Sequence, residues 1–312
     1  MMRMYCAEDG ILEEVDASSL SSALWIDLVA PSPEEVEMLH QEFGIALQDV
    51  ADCLDPNERA RVEIEEGYDL LVLRNMLAED QDADRVQTMP IGIIVTSRCV
   101  VTVRLGATFA PNELTADMRR RPRIETKEDL FFALVRKVNR DIERRVRPME
   151  RRISSIQASI LSAKKVDVAH SAFTLSNSLI LLNTALLSNL NAMSLLSRAK
   201  QLRMTKDKLD LAEDLENDVA QLYEMTTIYR EIMSNIINAY ESTIANNLST
   251  VMKTLTTISL ILILPTLIAS LYGMNLDNLP FQHDPNAFYI VIGLSAVAVA
   301  VLWVGFRLKH IL

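Results

Sequence analysis

Charged side chains are missing from two stretches near the C-terminal end of this chain, although they make up 23% of its 312 residues. The first stretch runs from Thr254 to Leu276 and the second from Ala287 to Phe306. A helix at the surface of a globular protein keeps a polar face, whereas about 20 apolar residues can cross roughly 30 Å of hydrocarbon as a helix. The two stretches therefore predict a pair of membrane-spanning helices joined by a short link, residues 272–286.

Cysteine and histidine are scarce as well. The three cysteines, at positions 6, 53 and 99, are far apart and the four histidines are scattered, so the sequence predicts reduced thiols rather than a disulfide framework or a zinc knuckle. A P-loop and a nucleophile elbow are lacking, and no aromatic or recognition motif accompanies the basic segment 119–152. We therefore expect neither an enzyme nor a nucleic-acid-binding protein, and we expect the basic segment to contact the acidic segment 207–224, within or between subunits.

The few charges around the two stretches predict their orientation. From residue 251 onward Lys253, Arg307 and Lys309 outnumber Asp277 and Asp284 by one, so the first 250 residues carry a net −12 against −11 for the whole chain. Positive charge concentrates on the cytoplasmic side of membrane helices. Both chain termini are therefore expected in the cytoplasm, in a protein of the inner (cell) membrane, with the link outside.

A third uncharged run, Ser171 to Ser197, is interpreted differently because it is rich in asparagine and serine. Asparagines in lipid would each need a hydrogen-bonding partner. We predict a helix outside the membrane whose leucine face packs on a neighbour, and a spanning helix here would invert the topology. The asparagines are Asn177, Asn183, Asn189 and Asn191, and the leucines are Leu179, Leu182, Leu186 and Leu190.

The preceding residues predict an α+β membrane protein with an N-terminal α/β domain. The segment "LWIDLV" (24–29) is strand-like, and a helix follows that Ser32 caps and Glu35 closes as a capping box. From Lys127 the pattern is helical, with a break at Pro148. We place an α/β domain at 1–125, a helical hairpin region at 126–206, a stalk helix at 207–250 and the membrane hairpin at 251–312. Further expected elements are a short helix, "LQDVADCL", and the strands "RVEIEE", "YDLLVLRNM", "TMPIGIIVT" and "CVVTVRL".

One hairpin encloses no path across a membrane, so transport would require an oligomer whose first spans line a pore. The first span carries a narrow row of residues at alternating spacings of four and three. Small and hydroxyl residues also let membrane helices pack closely, so the spacing leaves both interpretations open. Because the span contains no acidic or basic side chain, a carboxylate-lined cation site or proton relay inside it is excluded. The row consists of Met252, Thr256, Ser259, Ile263, Thr266 and Ser270.

The tetrapeptide Tyr272-Gly273-Met274-Asn275, which closes the first span, resembles the signature of the CorA-type magnesium channels. Three further segments, "LWIDLVAPSPEEVEMLHQEFGI", "LQDVAD" and "VMKTLT", resemble that family in the same order, so the resemblance covers essentially the whole chain. It implies a funnel-shaped homopentamer with a cytoplasmic α/β domain and a stalk helix that becomes the pore-lining span. It also implies that Mg²⁺, with Co²⁺ and Ni²⁺ as further candidates, moves into the cytoplasm, and that membrane lipid and divalent cations are the partners.

The resemblance assigns residues to this pathway. Tyr272 to Asn275 form the selectivity loop, with Gly273 and Asn275 as the outer entrance ring. Mg²⁺ dehydrates reluctantly, and a neutral ring of oxygens can accept hydrogen bonds from its bound water. Gly273 is expected to allow a backbone turn closed to other residues.

Further positions follow by the same resemblance. Met252 and Leu255 match a hydrophobic constriction, and Thr266 a hydroxyl in mid-membrane. Asp49 and Asp214 match the pair that holds a regulatory Mg²⁺ between neighbouring subunits. The chain departs from the family at three positions: Ser249 stands where a pore asparagine is frequent, Pro265 comes one position late, and Ser270 replaces a glycine.

Two other functions remain open. One is a zinc-exporting or proton-coupled transporter of the same fold, against which the intact Gly-Met-Asn argues. The other is a membrane-anchored sensor or scaffold that the hairpin only tethers, against which the polar row in the first span argues. Ion flux in liposomes separates these alternatives.

Overall fold

The computed structural model describes residues 1–8, 10–15, 20, 22–77, 86–106, 114, 124–161, 167–196, 199, 201–202, 204–274, 279–281 and 284–308. The chain divides into two compact units, unit 1 (Met1–Ile237) and unit 2 (Asn238–Leu312).

Unit 1 is built on a mixed sheet whose described strands number seven, in the order β2-β1-β3-β7-β6-β5-β4. All neighbouring pairs are antiparallel except β3 and β7, which run parallel with Trp25 opposite Val100. The strands predicted between residues 24 and 105 are confirmed, whereas β1 and β2 were not predicted. The bounds are β1 Met2–Glu8, β2 Ile11–Val15, β3 Trp25–Val29, β4 Arg61–Ile64, β5 Tyr68–Met76, β6 Thr88–Thr96 and β7 Val100–Arg104.

Both faces of the central strands are buried, which explains why these strands are continuous apolar runs rather than alternating ones. In β5, Leu71 and Leu73 belong to one apolar cluster, while Leu70 and Val72 belong to the cluster on the other face. Side chains alternate between the faces of a strand, so one strand supplies two cores.

The first face of the sheet is covered by α1 (Pro33–Phe43) and α2 (Leu47–Cys53). The predicted capping box of α1 is confirmed: Ser32 Oγ accepts from the Glu35 amide at 3.3 Å, and the Glu35 carboxylate accepts from the Ser32 amide at 2.8 Å. Leu39 of α1 and Cys53 of α2 are fully buried in the cluster on this face. We refer to this side of the sheet as the α1–α2 face.

The opposite face is covered by longer helices: α3 (Lys127–Val146), α4 (Met149–Leu161), α5 (Asp167–Met193) and the first half of α6 (Lys206–Tyr272). Helix α3 begins with a second capping box, formed by Thr126 and Asp129. The break predicted at Pro148 is confirmed, since it separates α3 from α4.

Helix α5 contains the third uncharged run, and it packs in unit 1 with the leucine face inward. Leu179, Leu182 and Leu186 are fully buried. The side-chain amide of Asn189 forms two hydrogen bonds with the backbone of Arg74 in β5. It accepts from the Arg74 N–H at 2.7 Å and donates to the Arg74 carbonyl at 2.9 Å. Asn183 donates to the Thr226 and Thr227 hydroxyls of α6 at 3.1 and 2.8 Å. The predicted packing of this helix on a neighbour is therefore confirmed.

Helix α6 is continuous over 67 residues, as predicted for the stalk and the first span. Within unit 1 it buries residues at spacings of four and three, the pattern of a helix with one inward face. These residues are Leu215, Val219, Leu222, Thr226, Tyr229, Met233 and Ile236.

Unit 2 contains the second half of α6 and α7 (Ala287–Leu308). Among the described helices, three are long and apolar enough to cross a membrane: α5, α6 and α7. Their most apolar segments are 44%, 6% and 0% buried, respectively. The apolar side chains of α6 and α7 in unit 2 are thus exposed in the single chain, whereas much of α5 is buried in the core of unit 1.

Candidate functional site

In unit 2 the residues of α6 divide into two faces. Thr257 is 2% exposed, and the half-buried positions Ile261, Leu264 and Ile268 lie on the same side of the helix. At 3.6 residues per turn, Ser259 lies about 200° around the helix from Thr257. The row predicted to line a pore occupies this second face, and its members Met252, Thr256, Ser259, Ile263, Thr266 and Ser270 are all exposed in the single chain.

The exposed face of α6 presents neutral oxygen atoms. The hydroxyls of Thr256, Ser259 and Thr266 donate to the carbonyls of Met252, Leu255 and Leu262 one turn earlier, at 2.8, 2.9 and 2.8 Å. A hydroxyl has one proton and two lone pairs. With the proton used inside the helix, each oxygen keeps its acceptor capacity for the water molecules around a hydrated cation.

Apolar side chains lie before this hydroxyl face. Met252 and Leu255 are 53% and 56% exposed in the single chain. Several copies of such side chains around one axis would form a ring that excludes water when narrow and lets it in when wide. The Ser249 side chain, one turn earlier, is exposed as well.

The predicted selectivity loop begins at Tyr272, the last residue of α6. The Gly273 amide donates to the carbonyls of Ala269 and Ser270 at 3.0 and 3.2 Å. Gly273 does not have a positive φ, so the expected turn closed to other residues is not what it provides. A Cβ atom here would lie 3.3 Å from the Ala269 carbonyl oxygen, which is one helical turn earlier, in α6. Met274 is half exposed, and Asn275 lies outside the described residues.

Asp49 lies in the first turn of α2, where a buried tyrosine fixes its carboxylate. The Tyr68 hydroxyl accepts from the Ala46 amide at 3.2 Å and donates to Asp49 Oδ2. Burial, together with the Asp49 carboxylate, raises the pKa of Tyr68 to about 12, so the hydroxyl keeps its proton. One carboxylate oxygen of Asp49 is thereby held, and the side chain stays half-buried at the surface.

Asp214 is exposed on α6, and its helix packs on the other face of the sheet. Val50, next to Asp49, belongs to the cluster on the α1–α2 face, whereas Leu215, next to Asp214, belongs to the opposite cluster. The chain therefore does not bring the two predicted ligands together within itself. Among the described residues no group of three or more His, Cys, Asp or Glu side chains could hold a metal ion.

The acidic part of α6 faces the basic helices. Arg136 and Arg140 of α3 line the same groove as Asp218 of α6, so the predicted contact between the basic and acidic segments is present within unit 1. Burial and the charges of Glu143 and Asp214 raise the pKa of Asp218, while Arg136 opposes the shift. Negative charge is thus crowded around Asp218, and Asp214 contributes to it.

A family model described as "CorA-like Mg2+ transporter protein" matches residues 21–309, which is nearly the whole chain. The chain belongs to the CorA family of Mg²⁺ transporters. It is 26% identical to the cobalt/magnesium transport protein CorA of Methanocaldococcus jannaschii, over 96% of each chain. It is 25% identical to the magnesium transport protein CorA of Pasteurella multocida, also over 96% of each.

The fold agrees with this membership. The complete structure of the CorA magnesium transporter from Methanocaldococcus jannaschii superposes with a TM-score of 0.83, at 24% identity, over 98% of this chain and 97% of that one. The N-terminal α/β unit, the long helix and the C-terminal apolar helices are therefore those of a CorA-type chain.

Sequence reasoning missed the residues that orient the carboxylates of α2. Tyr68 was recognised only as part of a strand, because its partner Asp49 is 19 positions away on another element. Arg61, which pairs with Asp52 at 2.9 Å and with Glu63 at 2.7 Å, was likewise counted only as a strand residue. The alternation of charges in "NERARVEIEE" is the signal that could have pointed to Arg61.

Proposed function

We propose that the chain is one subunit of a homopentameric channel of the inner membrane that admits Mg²⁺, and also Co²⁺ and Ni²⁺, into the cytoplasm. Both termini lie in the cytoplasm, α6 and α7 span the membrane, and α5 does not. The first spans of five copies line the pore through the exposed face of α6.

The exposed, uncharged hydroxyl face of α6 is the observation that carries this proposal. A helix that only anchored the protein would gain nothing from lining up oxygens along one side. A charged face would hold a divalent cation tightly and slow its exit, whereas conduction needs binding weak enough to release the ion. Neutral oxygens suit a cation that keeps its water shell.

Selectivity is assigned to the loop that closes α6. Asn275 side chains and Gly273 backbone oxygens form the entrance ring and accept hydrogen bonds from the bound water of Mg²⁺. Tyr272 braces the ring, and Asp277 and Asp284 raise the local concentration of cations outside.

Closure is assigned to Mg²⁺ that binds between Asp49 of one subunit and Asp214 of the next. The first 250 residues carry a net −12, so assembling five copies brings like charges together. A bound divalent cation offsets this repulsion and favours the closed ring, in which Met252 and Leu255 form the constriction. When internal Mg²⁺ falls, the sites empty and the population shifts toward the open state.

Replacement of Asn275 by alanine tests the entrance ring. Asn275→Ala should abolish Mg²⁺ uptake into liposomes that contain a Mg²⁺-sensitive dye, because each subunit loses its hydrogen-bonding oxygen. Assembly, measured by light scattering of the purified protein, should stay unchanged. Flux close to that of the original protein would reject Asn275 as a selectivity residue.

The same liposomes separate the alternatives. A zinc-exporting or proton-coupled transporter would move Zn²⁺ preferentially, or would require a pH gradient. A membrane-anchored scaffold would show no flux of any ion. Varying Mg²⁺, Zn²⁺ and pH one at a time distinguishes the three functions.

A further inference from the structure

Unit 2 contains an apolar groove between its two helices that the ion pathway does not use. The groove has a volume of about 540 Å³. Pro265 of α6 lines one side of it, and α7 lines the other from Ile292 to Trp303. Pro265 lies on the half-buried side of α6, away from the hydroxyl face. The groove therefore opens toward the surroundings of the helix pair.

The positively charged side chain of Arg307 lies beyond the Trp303 end of this groove. The Arg307 guanidinium sits 5.1 Å from the centre of the Trp303 ring, within range of a cation–π contact. Among the described residues, no acidic side chain forms an ion pair with Arg307. Arg307 is exposed in the last turn of α7 and keeps donors that the ring does not satisfy.

The dimensions fit one class of molecule. From Ile292 to Trp303, 11 residues of helix rise about 17 Å, so the groove extends over more than half of the roughly 30 Å of hydrocarbon that α7 would cross. Tryptophan prefers the boundary between hydrocarbon and head groups. An acyl chain lying in the groove would place its phosphate one helical turn beyond Trp303, where Arg307 is.

We propose that the groove between α6 and α7 binds an anionic glycerophospholipid, with an acyl chain along Ile292 to Trp303 and the phosphate on Arg307. The inference rests on the proposed function only in placing α6 and α7 in the membrane. Charge complementarity favours a lipid with a net negative head group, because a basic side chain near the membrane surface attracts such lipids. A zwitterionic head group has no net charge and is attracted less strongly.

The two tryptophans of the chain provide the test. Trp25 is fully buried in unit 1, whereas Trp303 is 46% exposed at the groove, so quenching of tryptophan emission by lipids with brominated acyl chains reports on Trp303. The full-length protein is placed in phosphatidylcholine vesicles containing either brominated phosphatidylglycerol or brominated phosphatidylcholine. The anionic lipid should reach half-maximal quenching at a mole fraction about fivefold lower.

Three variants sharpen the result. Arg307→Gln should make the two quenching curves coincide, whereas Lys253→Gln, the same charge change outside the groove, should leave them apart. Ala296→Leu, which fills the groove, should weaken quenching by both lipids. Gel filtration verifies that each variant assembles like the original protein.

Coinciding curves in the original protein would overturn the proposal. So would loss of the preference in Lys253→Gln as complete as in Arg307→Gln, because the effect would then be general surface attraction. Unchanged quenching in Ala296→Leu would show that the lipid contacts Trp303 elsewhere, and absence of quenching by either lipid would show that protein from a second copy covers the groove. None of these outcomes depends on ion flux, so the proposal and the channel function can fail separately.

Discussion

At the scale of single residues, the carboxylates of unit 1 differ in how firmly they are held. Asp49 accepts from Tyr68, which is itself 4% exposed. Asp52, one turn further along α2, pairs with Arg61. Asp214 stands exposed on α6 near the charge of Asp218. Of the two proposed ligands, Asp49 therefore has an oriented carboxylate, whereas the carboxylate of Asp214 is exposed.

Neutralising both proposed ligands should remove inhibition by internal Mg²⁺. The double variant Asp49→Asn with Asp214→Asn should still conduct, but its flux should no longer fall as Mg²⁺ inside the measured compartment rises, because nothing offsets the repulsion between subunits. Protection of unit 1 from protease by Mg²⁺ should disappear as well. Tyr68→Phe should raise the Mg²⁺ concentration needed for closure without changing the open flux, since the carboxylate remains but is no longer oriented.

A double variant that Mg²⁺ still closes would show that the ion acts elsewhere. Asp52→Asn locates that site in the same assay. If Asp52→Asn alone abolishes closure, the ligand on α2 is one turn further along than proposed.

Cys53 supplies a test of the core under the α1–α2 face. Burial raises the pKa of the Cys53 thiol from its ordinary value of 9.0 to about 12, which reduces the thiolate at a given pH about a thousandfold. In variants that keep a single cysteine, Cys53 should react with a maleimide at pH 8 at least 100-fold more slowly than the half-buried Cys6. The rate at Cys53 should rise about tenfold per pH unit up to pH 10. Comparable rates at the two positions would contradict the buried environment of Cys53.

At the scale of elements, α6 in unit 2 offers a matched pair of adjacent threonines on opposite faces. Thr256 lies on the hydroxyl face, whereas Thr257 is 2% exposed on the other side. Both hydroxyls donate to the backbone one turn earlier, at 2.8 and 2.9 Å. The two residues therefore differ mainly in which face they present.

Thr256→Val should lower Mg²⁺ flux about fivefold. Valine keeps the shape of the side chain but removes a hydrogen-bond acceptor, and one such hydrogen bond to the water shell of the ion stabilises it by on the order of 1 kcal/mol. Thr257→Val should leave flux within a factor of two of the original protein. Initial rates in liposomes at equal protein density measure both. If the Thr257 variant is the impaired one, the pore lies on the other face of α6.

The elements were predicted well where local rules decide them and poorly where distant residues do. The caps of α1, the break at Pro148 and the continuity of α6 follow from residues close in sequence. Strands β1 and β2 escaped prediction because their residues include several charges and β2 borders the edge of the sheet. The buried pair of Asp27 and Arg104, 2.6 Å apart and 77 positions apart in sequence, could not be foreseen, because only the parallel pairing of β3 and β7 brings it together.

At the scale of the whole molecule, unit 1 has a row of large apolar side chains that are exposed to solvent in the single chain. Phe173, Ile180 and Leu187 recur every seven residues on α5 and are 65%, 45% and 42% exposed. Helix faces with this repeat are typical of contacts between helices. We assign the row to contacts between subunits of the proposed pentamer.

Ile180→Glu should therefore weaken assembly, because a carboxylate would be buried at the subunit contact. Ile11→Glu is the matched control: Ile11 is 51% exposed on strand β2, and the same substitution there should leave assembly intact. Light scattering of the purified proteins over a tenfold dilution measures the fraction of complete assemblies. Equal stability of the two variants would remove α5 from the subunit contact.

The uncharged face of α6 also separates this transporter from proton chemistry. Between Thr254 and Met274 the sequence contains no Asp, Glu, His, Lys or Arg, so acidification has no such side chain to protonate along that part of the proposed route. In the proposed topology, a response of ion flux to external acid would have to arise at the link, which contains His283 as well as Asp277 and Asp284, and a response to internal acid would have to arise in unit 1. In the proposed channel, acid outside the cell would therefore leave the oxygen atoms that line this part of the passage unchanged.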